Sequence, residues 1–269
     1  MDDKKLAKQA EKERKAAEKA ARDEQRQKEK TARDLRRTIS SYTREQIKEP
    51  EMAQEFAKAV TQFWNGHYTI ETADEMDMNE AFRFFDWFTF DYALPDGERL
   101  IERFATEMRD EITVYQQEIL SEWLDAPASS VYIYEGFDGF SQQFKLRDFF
   151  NEEETYIVFS GAGSGRAKPE DLIMARLVPV GERLEFSTVA AYIPRAEVGD
   201  LMEQLTAARH EGEEHQTFMR RAGNLIIVHH ALAQAEANDR YPVVRLDPKR
   251  VDKAIQRTAK KVVMKVRRK

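Results

Sequence analysis

SSVYIYEGFDGFSQQFKLRDFFNEEETYIVF (129–159) is where the chain changes its period. Ahead of it, apolar residues recur every three or four positions, as helices require; inside it they alternate, as half-buried strands require. VYIYEGF, FSQQFKL and ETYIVF each read as a strand, and DLIMARLVPV (171–180) and RLEFSTVAAYI (183–193) continue the series. The turns between them carry Gly136 with Asp138 and Gly139, Asn151 with Glu152–Glu154, Gly161–Gly165, and Gly181 with Glu182. So many short strands over 129–193 predict a small antiparallel β-barrel or a strongly curled sheet.

Upstream, NEAFRFFDWFTFDYALPDGERLIERF (79–104) is the most aromatic part of the chain. At helical spacing Phe82, Phe85, Phe88 and Tyr92 share a face, which Phe84, Trp87 and Phe90 widen. A helix apolar over so much of its circumference belongs in a core, so the segment reads as core and not as a ligand platform. Leu94-Pro95-Asp96-Gly97 is a turn, with Pro setting φ and Gly allowing positive φ. Two more helices follow, and Pro127 closes the second. Before the aromatic segment, Pro50 opens a helix with Met52, Phe56, Ala59, Val60 and Phe63 on one face, ended by Gly66. After the strands, a helix runs from Pro194 to near Arg209. A longer one over 217–236 carries Phe218, Ala222, Leu225, Ile226, His229, Leu232 and Ala233 as its stripe.

The charge is divided along the chain. Residues 1–37 hold 14 basic and 9 acidic side chains, residues 240–269 hold 12 and 2, and the intervening 38–239 hold 17 and 38. Net charges of +5 and +10 thus flank a body of −21, which the overall −6 conceals. Fields of this size govern partners and solubility rather than fold. The N-terminal 37 residues are rich in Lys, Glu, Ala and Arg, with Glu11–Lys15, Glu18–Arg22, Glu24–Lys28 and Glu29–Arg33 at i, i+4. Leu6 and Leu35 are their large apolar side chains, so no heptad seam is sustained, and the segment reads as a solvated arm. The C-terminal segment opens at Asp247-Pro248, a cap followed by proline, into a helix with Val251, Ile255, Val262 and Val266 on its apolar stripe. Lys249, Arg250, Lys253, Arg257, Lys260, Lys261, Lys265, Arg267, Arg268 and Lys269 fill the remainder and are the candidate contacts for nucleic acid or a partner. The same helix has three other possible seats: the acidic body, an anionic membrane surface or a protein partner.

There is no cysteine, which removes disulfides, thiolate metal sites and a cysteine nucleophile. No apolar run approaches the roughly 20 residues of a membrane span, and the N-terminus has no apolar leader, so the chain reads as soluble and cytoplasmic. GAGSGR (161–166) lacks the Lys-Ser/Thr and the following helix of a phosphate loop and reads as a hairpin connection. HEGEEH (210–215) matches no metalloprotease spacing. Asp86 and Asp91, set among Phe and Trp, are either carboxylates of raised pKa fit for general acid work or structural partners of a neighbour such as Arg83. No metal or cofactor is assigned.

FFDWFTFDYALPDGERLIERF, ILSEWLDAPASSVYIYE, FKLRDFFNEEETYIVF and PEDLIMARLVPVGERLEFS together resemble a module of uncharacterised bacterial proteins that often carry a SEC-C-type zinc-binding motif elsewhere in the chain. The likeness covers about residues 80–190. It implies architecture and no catalytic residues. Zinc in such proteins would be held by Cys and His, and this chain, lacking Cys, departs there.

The expected architecture is α+β, a helical layer beside the small β module, with a charged N-terminal helix and a basic C-terminal one. Its segments are 1–37 (charged helical or disordered arm), 38–128 (helical), 129–193 (β), 194–246 (covering helices) and 247–269 (basic helix). The functional expectation is a non-catalytic binding protein contacting RNA, the ribosome or DNA through its basic ends. The alternatives are a protein-interaction adaptor using the acidic body or the barrel edge, and a hydrolase dependent on Asp or Glu.

Overall fold

A computed structural model describes residues 2–161, 163 and 167–238. Four helices and then a fifth precede the sheet: α1 (Asp2–Gln46), α2 (Pro50–Phe63), α3 (Met78–Phe90), α4 (Leu100–Glu107) and α5 (Val114–Leu124). The strands are β1 (Ser130–Asp138), β2 (Gln143–Asp148), β3 (Thr155–Phe159), β4 (Leu172–Ala175), β5 (Leu177–Val180), β6 (Arg183–Phe186) and β7 (Ala191–Ile193). After them come α6 (Leu201–Ala208), α7 (His215–Phe218) and α8 (Asn224–Ala237). The arrangement is α+β, with a curled sheet, as the change of period predicts.

The sheet order is β5-β6-β3-β2-β1-β4-β7. It is antiparallel except that β3 and β6 run parallel, through Val158↔Leu184 and Phe159↔Glu185. Two expected strands divide: DLIMARLVPV breaks at Arg176 into β4 and β5, and RLEFSTVAAYI breaks after Phe186 into β6 and β7. Alternation explains the curl. In β1, Val131 and Ile133 face the helices, while Tyr132 and Tyr134 join Phe144, Leu146, Val158 and Ile173 in a second core on the other face. Both faces are apolar, so the sheet bends to bury the second against itself. A register shift between Tyr134 and Gly136 supplies a bend, since a bulge kinks and twists its strand.

α1 departs from the expected arm. It runs unbroken past Arg37 to Gln46, about 67 Å at 1.5 Å per residue. Residues 11–24 are exposed, but Ala32, Leu35, Ile39 and Tyr42, spaced three or four apart, are buried in the main core. Glu29, expected to pair with Arg33, instead reaches Arg183 across the β5–β6 turn at 3.0 Å. Gln25 clamps that turn, donating to Val180 O at 2.9 Å and accepting from Glu182 N at 3.3 Å. A Cβ on Gly181 would lie 2.4 Å from Gln25 Oε1, and its φ of +65° is itself left-handed, so the close approach requires glycine.

α2 starts at Pro50 and buries Met52, Ala59, Val60 and Phe63 as predicted. α3 opens on a capping box between Asp77 and Glu80. Its core face is Phe84, Trp87, Phe88 and Phe90, not the face centred on Phe82 and Phe85. Phe82 is 44% exposed and Phe85 half-buried. The phase of α8 is also displaced. A π-helical turn over Met219–Gly223 inserts an extra residue per turn, so His230, Ala231 and Ala235 are buried while Ala233 is exposed. A Cβ on Gly223 would meet Met219 Sδ at 2.5 Å, so the buried Met219 side chain would have to shift. No helix among the described residues is long and apolar enough to cross a membrane.

Candidate functional site

The packed half of α1 buries one stripe and turns another to solvent. Arg33, Arg37, Ser40 and Ser41, and Arg44 follow at helical spacing on that second face. α3 lies alongside, held by the buried contact between Thr43 Oγ1 and Thr89 Oγ1 at 3.4 Å. Between the two helices and the β6–β7 connection is a groove of about 450 Å³. α1 contributes four arginines, Arg33, Arg36, Arg37 and Arg44; α3 contributes Phe82, Phe85, Asp86 and Phe90; the connection contributes Ser187 and Thr188.

The arginines are not equivalent. Arg36 stacks over Trp123 at 5.0 Å from the ring centre and pairs with Glu185 at 3.3 Å, so it is committed to the fold. Arg37 pairs with Asp34 at 3.4 Å on the surface. Arg33 and Arg44 are exposed and have no ion pair among the described residues. Asp86 is the carboxylate of the groove wall, and its charge is answered from below. Ser187 donates to its Oδ1 in a short contact, and Arg176 Nε donates to its Oδ2 at 3.3 Å. The groove is therefore net positive within a body that is net negative.

Under the groove Arg176 joins Asp86 to Asp91. Its side chain is wholly inaccessible; it pairs with Asp91, donates to Pro127 O at 2.8 Å and lies over Phe90 at 4.9 Å. Asp91 accepts from Ser129 N at 3.3 Å and from Asn224 Nδ2 at 3.1 Å, and Arg220 stands 3.8 Å away. Burial pushes the Asp86 carboxyl up, against the opposing pull of Arg176 and Ser187. Burial works to lower the Arg176 guanidinium, but Asp91 and Asp86 outweigh it and the net shift is upward. Both acidic residues singled out from the sequence are thus counter-ions of Arg176, and the expected partner Arg83 is replaced by a more distant residue. Arg176, one cation inside the apolar run LIMARLVPV, was the signal for this pairing.

The remaining sequence candidates fall elsewhere. Lys249, Arg250, Lys253, Arg257, Lys260, Lys261, Lys265, Arg267, Arg268 and Lys269 lie outside the described residues, as do residues 162 and 164–166 of the GAGSGR loop. In HEGEEH, Glu213 accepts two bonds from Arg221, at 2.7 and 2.8 Å, and Glu214 caps α7 through Thr217 N at 2.7 Å. His215 stacks edge-on against Phe150. No group of three or more possible metal ligands occurs among the described residues. His229 is half-buried and bonded to Gln62 O at 2.8 Å; His230 is buried and bonded to Glu197 O at 2.8 Å.

A segment boundary after Arg37 passes through the middle of the stripe of Arg33, Arg37 and Arg44, so charge by segment does not reveal it. Of the 14 basic residues in 1–37, six lie in 25–37 against two acids, whereas 1–24 are nearly balanced at eight against seven. The basic excess of the N-terminal segment is therefore concentrated in the half that packs.

The molecule is an α+β protein with a curled mixed sheet and an arginine-lined groove between its longest helix and α3. A family of unknown function, DUF7986, matches residues 20–223, most of the chain, and the chain belongs to that family. No curated protein and no solved structure matches it.

Proposed function

We propose that the chain is a non-catalytic binding protein that holds single-stranded nucleic acid in the α1–α3 groove, with the basic C-terminal segment adding phosphate contacts. The observation that carries this reading is the pairing of exposed Arg33 and Arg44 with exposed Phe82 across one groove. Single-strand binders combine a basic track for the backbone with aromatic faces on which bases stack. The hydroxyls of Ser40, Ser41 and Thr188 are further donors to phosphate or ribose oxygens. The net −21 of the body opposes a polyanion, but at physiological salt charges beyond about 8 Å are screened, so the arginines of the groove dominate at contact.

The test is fluorescence anisotropy with labelled 12-nucleotide RNA, the same DNA sequence and an RNA duplex, over a range of salt. The reading expects single strands to bind better than the duplex, with log affinity falling linearly in log salt. Duplex preference, or affinity independent of salt, overturns it. The RNA and DNA arms distinguish the two kinds of single strand.

A further inference from the structure

The groove takes in only the C-terminal third of α1, and the basic face it uses does not stop there. At about 100° per residue, Lys12, Lys15, Lys19, Arg22, Arg26 and Lys30 follow one another at steps of three or four and share one arc of about 80°. Arg33, Arg37 and Arg44 of the groove continue the same arc. Of the ten residues between 12 and 44 that fall on it, nine are cations and the tenth is Ser40, so no carboxylate interrupts the row. All nine cations are exposed. From Lys12 to Arg44 the row is about 48 Å long at 1.5 Å per residue.

A helix that is merely solvated mixes its signs, because i, i+4 pairs of opposite charge stabilise it. Such pairs are present here, but Arg14–Glu18 and Lys28–Glu24 lie off the row. Lys15, Arg26 and Arg37 reach carboxylates across its borders, at 2.6 Å to Glu11, 3.8 Å to Asp23 and 3.4 Å to Asp34. Exposed pairs of this kind hold weakly and give way to a polyanion. The other six cations make no ion pair among the described residues. The near balance of charge in residues 1–24 therefore conceals a face of one sign.

A straight row of cations, about one for each turn of 5.4 Å, matches a linear polyanion. A duplex fits it poorly, because its backbone winds once around the axis in about 34–36 Å and leaves a straight line after a few contacts. A single strand can lie along the whole row, and the row runs into the groove without a break at Arg33. We propose that the exposed N-terminal part of α1 is the outer half of a single-strand track, so that one strand passes from the groove along the cationic row to Lys12. This rests on the groove reading and lengthens its site from about 17 Å, between Arg33 and Arg44, to about 48 Å.

The test is fluorescence anisotropy with labelled oligouridine of two lengths over a range of salt. At about 3.4 Å per stacked nucleotide, 5 nucleotides span roughly 17 Å and 20 span roughly 68 Å. The full chain is compared with Lys12→Gln/Lys15→Gln/Lys19→Gln/Arg22→Gln. Glutamine has nearly the helix propensity of Lys and Arg, and circular dichroism checks that the helix content is kept. The proposal expects the wild-type chain to bind both strands, with the steeper dependence of log affinity on log salt for the longer one. In the variant, affinity for the 5-mer should stay within twofold, while the slope for the 20-mer becomes shallower by at least about 1.4, two contacts' worth. A smaller change for the 20-mer, with 5-mer binding intact, overturns the extension and leaves the groove standing. Equal losses for the two lengths also overturn the extension. A 20-base-pair RNA duplex bound as tightly as the 20-mer overturns the single-strand assignment of the row. No salt-dependent binding of either strand by the wild-type chain overturns the row and the groove together.

Discussion

Arg176 and Asp91 form an ion pair in which neither side chain is accessible to solvent at all. Arg176 stands at the break between β4 and β5, and Asp91 at the C-terminal end of α3, so the pair ties the sheet to the aromatic helix. Asp86, one turn earlier, shares the guanidinium and reaches the groove. The candidate interface therefore rests on a buried electrostatic joint.

Arg176→Met should cost about 3–5 kcal/mol, because it leaves two buried carboxylates without their cation. Chemical denaturation measures the loss. A loss below about 1 kcal/mol would mean that water or Arg220 takes over the charge.

The aromatic core is open to the same measurement. Trp87→Ala and Phe88→Ala should each cost about 3–5 kcal/mol, since both side chains are buried and packed against neighbouring rings. Phe82→Ala, on the groove side, should change stability by less than about 0.5 kcal/mol. It should instead lower single-strand affinity by about 1–3 kcal/mol if a base stacks on it. Unaltered binding by Phe82→Ala removes the stacking contact from the account.

Stability should depend on pH through Glu213. The two bonds from Arg221, followed by that from His210 N, hold its carboxyl at about 2, below the ordinary value near 4.5. A depressed carboxylate stabilises the fold above its unfolded pKa, and this is lost as pH falls through the folded value. The stability gap between the wild-type chain and Glu213→Gln should be full above about pH 5 and shrink steadily toward pH 2. Urea denaturation at several pH values measures it, and a gap that is constant over that window contradicts the assignment.

The reading from sequence succeeded where one local pattern decides the structure. The period-2 run after Ser129 announced the sheet, and Pro50 announced the start of α2. It failed where a residue far along the chain decides. Nothing in the pattern of α3 says which of its two aromatic faces meets α2, so Phe82 was placed inward. Nothing local says that 219–223 will form a π turn, so the α8 stripe was one position out of phase. The parallel β3–β6 pair joins strands with two others between them in sequence. Of the groove, the arginines were visible as charge but not as a stripe, since their face is defined by Ala32, Leu35 and Tyr42 packing on the opposite side of α1. The pairing of Asp86 and Asp91 with Arg176 spans 85 to 90 residues, and a lone cation in the apolar run LIMARLVPV signals a buried counter-ion without saying which.

The central claim, that the α1 face holds phosphates, is tested most directly by the salt dependence of RNA binding in Arg33→Gln/Arg44→Gln beside the wild-type chain. Each single-strand phosphate contact contributes a slope of about 0.7 in log affinity against log salt. Neither arginine has an ion pair to lose among the described residues, so thermal stability should stay within about 0.5 kcal/mol of wild type. The account predicts that the double variant binds more weakly and that its slope is shallower by about 1.4. An unchanged slope with unchanged affinity would contradict it and move any nucleic-acid contact off this groove.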